Sequence, residues 1–186
     1  MGLNKTHDMQ KHTSLGTLIL LLVTLVKGYG QATETRPIQS FNGIKTDGLV
    51  QVHLQQGEKE SLKLVVKGIG LKDIITSVEN NVLTVKTEGD YNGEEINVYV
   101  TYRQLKSIAV DGASKLFGKS TIKSKTLAIA TSGAGDAFLT VDVDDLQIAM
   151  TGAGNLTIGG RAKSEKIVTT GPINGSLNKS GLITAK

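Results

Sequence analysis

One pattern recurs four times in the second half of the chain and restricts the fold more than any other feature. The segments are Ile108-Ala-Val-Asp-Gly112, Ile129-Ala-Thr-Ser-Gly133, Ile148-Ala-Met-Thr-Gly152 and Ile167-Val-Thr-Thr-Gly171. Their isoleucines lie 21, 19 and 19 residues apart, and their glycines keep the same steps. A period near 20 residues marks a stacked repeat, in which each unit buries its apolar side against its neighbours. Nineteen residues are too few for a helix pair but enough for one coil of short strands and tight turns. Coils stacked at the ~4.8 Å interstrand spacing align the isoleucines in a buried column. Gly112, Gly133, Gly152 and Gly171 then form a corner column, where positive φ is free of a Cβ penalty. Asn155 and Asn174 are candidates for a stacked amide pair one coil apart.

The preceding part also reads as β. Val50, Val52 and Leu54 share one face of a segment, Leu62, Leu64 and Val66 that of a second, and Ile96, Val98, Val100 and Tyr102 that of a third. Period two over five to seven residues is the half-buried strand pattern. Asn80-Asn81 between apolar stretches predicts a tight hairpin, and Gly89 to Gly93 a second turn. Residues 70–76 are too brief for more than a helical turn. The fold expected from these patterns is an all-β solenoid with coils of about 19–21 residues and hairpin-like strands in its N-terminal part.

Residues 13–26 carry no charge and follow a short segment with Lys5 and Lys11. Fourteen residues fall short of the ~20 needed to span a bilayer. With Lys27 and the small-residue stretch Gly28 to Ala32 behind them, they read as a secretory signal peptide over 1–30. Cleavage is expected near Gly30–Gln31 or Ala32–Thr33, leaving 31–186 as a single domain. Removing the leader leaves 18 basic and 16 acidic residues, a net of about +2. The densest basic window, Lys115, Lys119, Lys123 and Lys125, has only Phe117 among it and reads as a solvated face, so no nucleic acid is expected. Zero Cys excludes disulfide frameworks, zinc ribbons, thiol nucleophiles and a lipoprotein anchor.

Together, Arg36-Pro37-Ile38, Phe41-x-x-Ile44, Val52-x-Leu54-Gln55-Gln56-Gly57, Val98-Tyr99-Val100-Thr101-Tyr102-x-x-Leu105-x-x-Ile108, Asp111-Gly112-Ala113-Ser114 and the two Ser/Thr-Gly-Ala-Gly coils resemble the auto-transporter adhesin family with the head GIN domain. The resemblance covers roughly residues 35–186. It implies an exported bacterial envelope protein with a right-handed parallel β-helix, and brings no catalytic residues. Two departures stand out: Gly171-Pro172-Ile173-Asn174 replaces the Gly-Ala-Gly pattern, and the chain stops in mid-pattern at Lys186. Either the chain is a truncated family member, or its last coil offers an open edge for self-association.

Chemical motifs are sparse. The segment Gly112 to Ser120 has five residues between its glycines, where a phosphate loop needs four. Gly133-Ala-Gly135 and Gly152-Ala-Gly154 lack the third glycine and the helix of a dinucleotide site. His53 is the single His after residue 30 and alternates outward beside Val52 and Leu54, which reads as an isolated, solvated strand position. Asp136, Asp142, Asp144 and Asp145 form the best acidic group, the basis for a small Ca²⁺-dependent lyase as an alternative. Asn97, Tyr99 and Arg103 mark a candidate sugar-facing strand surface, Tyr supplying a flat ring with a polar tip. With no Trp and six aromatics after residue 30, a strong aromatic platform is not expected. The expectation is therefore a non-catalytic, cofactor-free, adhesin-like module in the periplasm, on the outer-membrane surface or secreted. It would contact polysaccharide or an envelope protein, or else serve as a structural unit stacking end to end.

Overall fold

The computed structural model describes residues 30–89 and 95–169. Twelve strands lie there: β1 Ala32–Arg36, β2 Gly43–Asp47, β3 Gln51–Gln56, β4 Ser61–Lys67, β5 Ile74–Glu79, β6 Val82–Thr87, β7 Glu95–Tyr102, β8 Ser107–Val110, β9 Lys115–Gly118, β10 Ile122–Thr131, β11 Asp136–Met150 and β12 Leu156–Thr169. One 3-10 turn, Leu71–Asp73, precedes β5. Among the described residues no helix is long and apolar enough to cross a membrane.

All twelve strands belong to one sheet, ordered β1-β4-β7-β3-β9-β11-β10-β8-β2-β6-β5, with β12 on the far side of β11. β11 pairs with β9 through Asp136–Phe138 and with β10 through Val141–Met150, so it runs from one face of the sheet to the other. The sheet thereby rolls into a half-barrel with a front face (β1, β4, β7, β3, β9) and a back face (β5, β6, β2, β8, β10). Between them lies one apolar core, in which Val52, Leu54, Leu62, Leu64, Leu83, Val85, Val98, Leu116, Ile122 and Ile158 are fully enclosed. The alternating apolar residues of β3, β4 and β7 all point into it.

The repeat pairs in register. Ile108 faces Ile129, Ile129 faces Ile148, and Ile148 faces Ile167 across parallel strands. Ile44 precedes them, facing Ile108. The expected right-handed parallel β-helix, however, is not the architecture of the domain. β1–β4, β4–β7 and β5–β6 pair antiparallel, while the other pairs are parallel. The cause lies between Gly57 and Lys106, where the chain leaves the coil path. Asn80 and Asn81 adopt φ of 49° and 62°, which closes the β5–β6 hairpin and reverses the chain. β6 returns parallel to β2, and β7 parallel to β3, so this excursion widens both faces of the sheet.

The two terminal strands of the sheet would leave unpaired edges. Arg36 at the end of β1 joins them. Its guanidinium donates to the carbonyl of Ile74 at 2.6 Å, to Thr76 Oγ1 at 3.0 Å and to the carbonyl of Leu71 at 2.7 Å, and it pairs with Glu34 at 3.0 Å. These are charge-assisted bonds from a planar fork that no other side chain reproduces. We expect Arg36→Met to lower stability by about 2 kcal/mol, since two carbonyls each lose a charged donor, and Arg36→Lys to recover part of that. Urea midpoints read the effect, and an unchanged midpoint would mean that other contacts hold the edges together.

Candidate functional site

Each back strand of the repeat turns onto a front strand at a glycine. Gly48, Gly112, Gly133 and Gly152 have φ of 79°, 65°, 71° and 99°. They stack so closely that a Cβ on Gly112 would lie 2.7 Å from the Gly48 nitrogen, and one on Gly133 2.9 Å from the Gly112 oxygen. Gly171 lies outside the described residues. Polar side chains lock the corner. The buried Ser114 donates to the Asp111 carbonyl at 2.7 Å, which leaves Thr46 Oγ1, also buried, to donate to Ser114 Oγ at 2.7 Å. Asp111 accepts from Ser132 and pairs with Lys45 at 3.0 Å. Burial pushes the Asp111 carboxyl up, but the Ser132 hydrogen bond and the Lys45 charge outweigh it and hold the carboxyl below its usual range.

Five residues past each of these glycines stands an outward position on the front face. Those positions are His53, Phe117, Phe138 and Thr157, and the strand register aligns them in one row. Tyr99 of β7 extends the row beyond His53. The result is a ladder of four stacked rings. Tyr99 to His53 spans 4.8 Å between centroids, His53 to Phe117 5.3 Å and Phe117 to Phe138 5.4 Å, with interplanar angles of 19°, 15° and 5°. Offset stacking of this kind contributes about 0.5–1.5 kcal/mol per pair. The end rings remain open, Tyr99 at 45% and Phe138 at 40% exposure, while His53 and Phe117 are half-buried. His53 Nε2 donates to Asn97 Oδ1 at 3.0 Å, which fixes the proton on that nitrogen. Lys119 Nζ lies 5.5 Å from the Phe117 centroid.

Polar rows flank the rings. On one side Asn97, Gln51, Lys115 and Asp136 lie in register. Asn155 closes this row by donating its Nδ2 to Asp136 Oδ1 at 3.0 Å; its expected stacking partner Asn174 lies outside the described residues. On the other side, Gln55 pairs with Thr101, whose hydroxyl accepts from Ser61 at 3.0 Å. A ridge of ring carbons between donors and acceptors can hold a flat ligand that is apolar on one side and hydroxylated at its rim.

Two sequence expectations need correction here. His53 is not an isolated solvated strand position, and the front face does carry an aromatic platform. The rings are far apart in sequence and meet through strand register. Phe117 and Phe138 stand 21 residues apart, the same step as Ile108 to Ile129, and that coincidence is the signal from which the platform could have been read. Of the three candidate ligand residues, Asn97 and Tyr99 lie on this face. Arg103 lies past the end of β7, in a separate cleft with Gln56, Glu58, Glu60 and Gln104.

The acidic group is dispersed along β11. Asp142 pairs with Arg161 at 2.9 Å and Asp144 with Lys163 at 2.7 Å, while Asp136 accepts from Asn155. Among the described residues no three His, Cys, Asp or Glu side chains converge as a metal site.

Comparison with curated proteins finds no match. Among solved structures, the fold is similar to a putative adhesin from Bacteroides fragilis, with a TM-score of 0.67 and 17% identity over 76% of this chain and 70% of that one. A putative adhesin from Parabacteroides distasonis has a TM-score of 0.57 and 17% identity over 75% and 70%. A putative lipid binding protein from the same organism has a TM-score of 0.57 and 14% identity over 71% and 67%. At these identities the likeness is one of fold. The family model described as putative auto-transporter adhesin, head GIN domain, matches residues 40–186, and the chain belongs to that family.

Proposed function

We propose that this is an exported, adhesin-like protein that holds polysaccharide on its front face without cleaving it. The observation that carries the reading is the ring ladder Tyr99–His53–Phe117–Phe138, whose end rings are exposed between two polar rows. Apolar rings at the surface cost free energy unless they stabilise the sheet or meet a partner, and the two end rings each stack on another ring on one side only. Membership of an adhesin family and the leader-like segment 1–30 support export. A leader cut after Gly30 would leave β1 whole, since that strand begins at Ala32.

A glycan-array screen, with and without Ca²⁺, tests this reading. Once a ligand is found, Phe138→Ala and Tyr99→Ala should each weaken binding about two- to tenfold, the share of one aromatic contact. Each should lower Tm by about 2–4 °C per kcal/mol of stacking lost. Unchanged affinity in both variants would move the site off the ladder. Bond cleavage during the screen would favour the lyase reading instead.

A further inference from the structure

Beyond the ring ladder, the molecule has a second concave surface. It is an open cleft of about 630 Å³ where the β3–β4, β7–β8 and β5–β6 turns meet the segment before β2. That volume falls within the range of small-molecule sites, roughly 300–1,000 Å³. Its rim is stapled by the main chain. Gly57 N donates to the Tyr102 carbonyl at 2.9 Å, Asn42 N to the Asn81 carbonyl at 2.9 Å, and Lys106 N to the Asn42 carbonyl at 2.7 Å. Gln56 Nε2 donates to the Arg103 carbonyl at 3.0 Å, joining two of the turns. Within this fixed rim, Glu58, Glu60, Arg103 and Gln104, with the amide side chains of Asn42 and Asn81, line the cleft. Among the described residues none of these six side chains has a hydrogen-bond or ion-pair partner. Two carboxylates and a guanidinium thus share one cleft without neutralising one another.

We propose that this cleft is a saccharide subsite that prefers an amine-bearing sugar, such as a hexosamine unit. The proposal rests on the glycan reading of the front face and adds a second contact to it. Mixed amide, carboxylate and guanidinium groups match a ligand dense in hydroxyls, each of which both donates and accepts. Two carboxylates against one guanidinium leave the lining side chains net negative, which favours an ammonium group and disfavours a uronate at direct contact. The cleft also continues the ladder. Tyr99, Thr101 and Arg103 follow one another at two-residue steps along and just past β7, so Arg103 lies about 13 Å from the ring row at the rise of an extended strand. A short oligosaccharide laid along β7 would cross the rings and reach the cleft with its end.

The test is an amide-resolved NMR titration of the protein with glucosamine, glucose, glucuronate and triglycine. Glucosamine should perturb the amides of Gly57, Glu58, Arg103 and Gln104 and bind about fivefold tighter than glucose, the upper range for an exposed charge pair. Glucuronate should bind more weakly than either. Glu58→Gln with Glu60→Gln should bring the glucosamine-to-glucose ratio to about one. No response at those amides, glucuronate binding at least as tightly as glucosamine, a ratio that survives the double substitution, or a response to triglycine alone would each overturn the proposal. A chitosan oligomer separates the two readings. Response at Tyr99, His53, Phe117 and Phe138 with a silent cleft overturns the cleft alone, while response at the cleft with a silent ladder overturns the front-face reading alone.

Discussion

Ile148→Asp should cost about 4–5 kcal/mol, a large part of the roughly 5–15 kcal/mol that a domain of this size has. Ile148 is 3% exposed and faces Ile129 on one strand and Ile167 on the other. The substitution removes a full hydrophobic burial, about 1.5–3 kcal/mol. It also puts a carboxylate among Leu146, Ile129 and Met150, where the group must either lose its solvation or take up a proton. Ile148→Val should cost only about 1 kcal/mol. Ala149→Asp, one residue along but on the exposed outer surface, should stay within about 0.5 kcal/mol. Urea unfolding of the three variants followed by circular dichroism gives the comparison. If Ile148→Asp melts with the parent, the inward assignment of the isoleucine column is wrong.

Gly152→Ala should cost about 3 kcal/mol. The residue has φ of 99°, where an L side chain carries a penalty of about 1–2 kcal/mol. Its Cβ would also lie 2.3 Å from the Gly133 oxygen and 2.8 Å from the Gly133 nitrogen. Both obstacles are backbone, so no rotamer change relieves them, and two stacked corner turns would have to separate. Gly159→Ala is the matched control, because a Cβ there meets nothing within 4 Å and its φ is not positive. It should be neutral or slightly stabilising, through the reduced freedom of the unfolded chain. Thermal melts of the two side by side decide the matter. Equal Tm values would show that the corner column tolerates side chains.

The two predictions draw on information of different kinds. That Ile148 faces inward and that Gly152 turns a corner follows from local pattern, since both residues recur at one spacing and each coil meets the same neighbours as the last. Side-chain alternation in β3, β4 and β7 was legible for a similar reason: the pleat has period two, and one face of each strand is buried. The Asn80-Asn81 hairpin was legible because positive φ at two successive residues is rare outside such turns.

What the tertiary structure alone decided is how distant segments meet. Ile44 and Gly48 already belong to the columns, yet Ile108 comes 64 residues after Ile44, because the excursion through β4 to β7 separates them. That excursion makes the sheet mixed, and no short-range spacing announces that β4 will pair with β7 and β1 rather than with β3. The edge closure by Arg36 has the same origin, for its partners lie 35 to 40 residues away. So does the ring ladder. Phe117 and Phe138 share the repeat step, but His53 and Tyr99 join them only through the parallel pairing of β3 with β9 and β7. Local sequence determined which way each side chain points, because that is set within a few residues by backbone geometry. Which side chains become neighbours on the finished surface was settled by strand order, an outcome of the whole core closing at once.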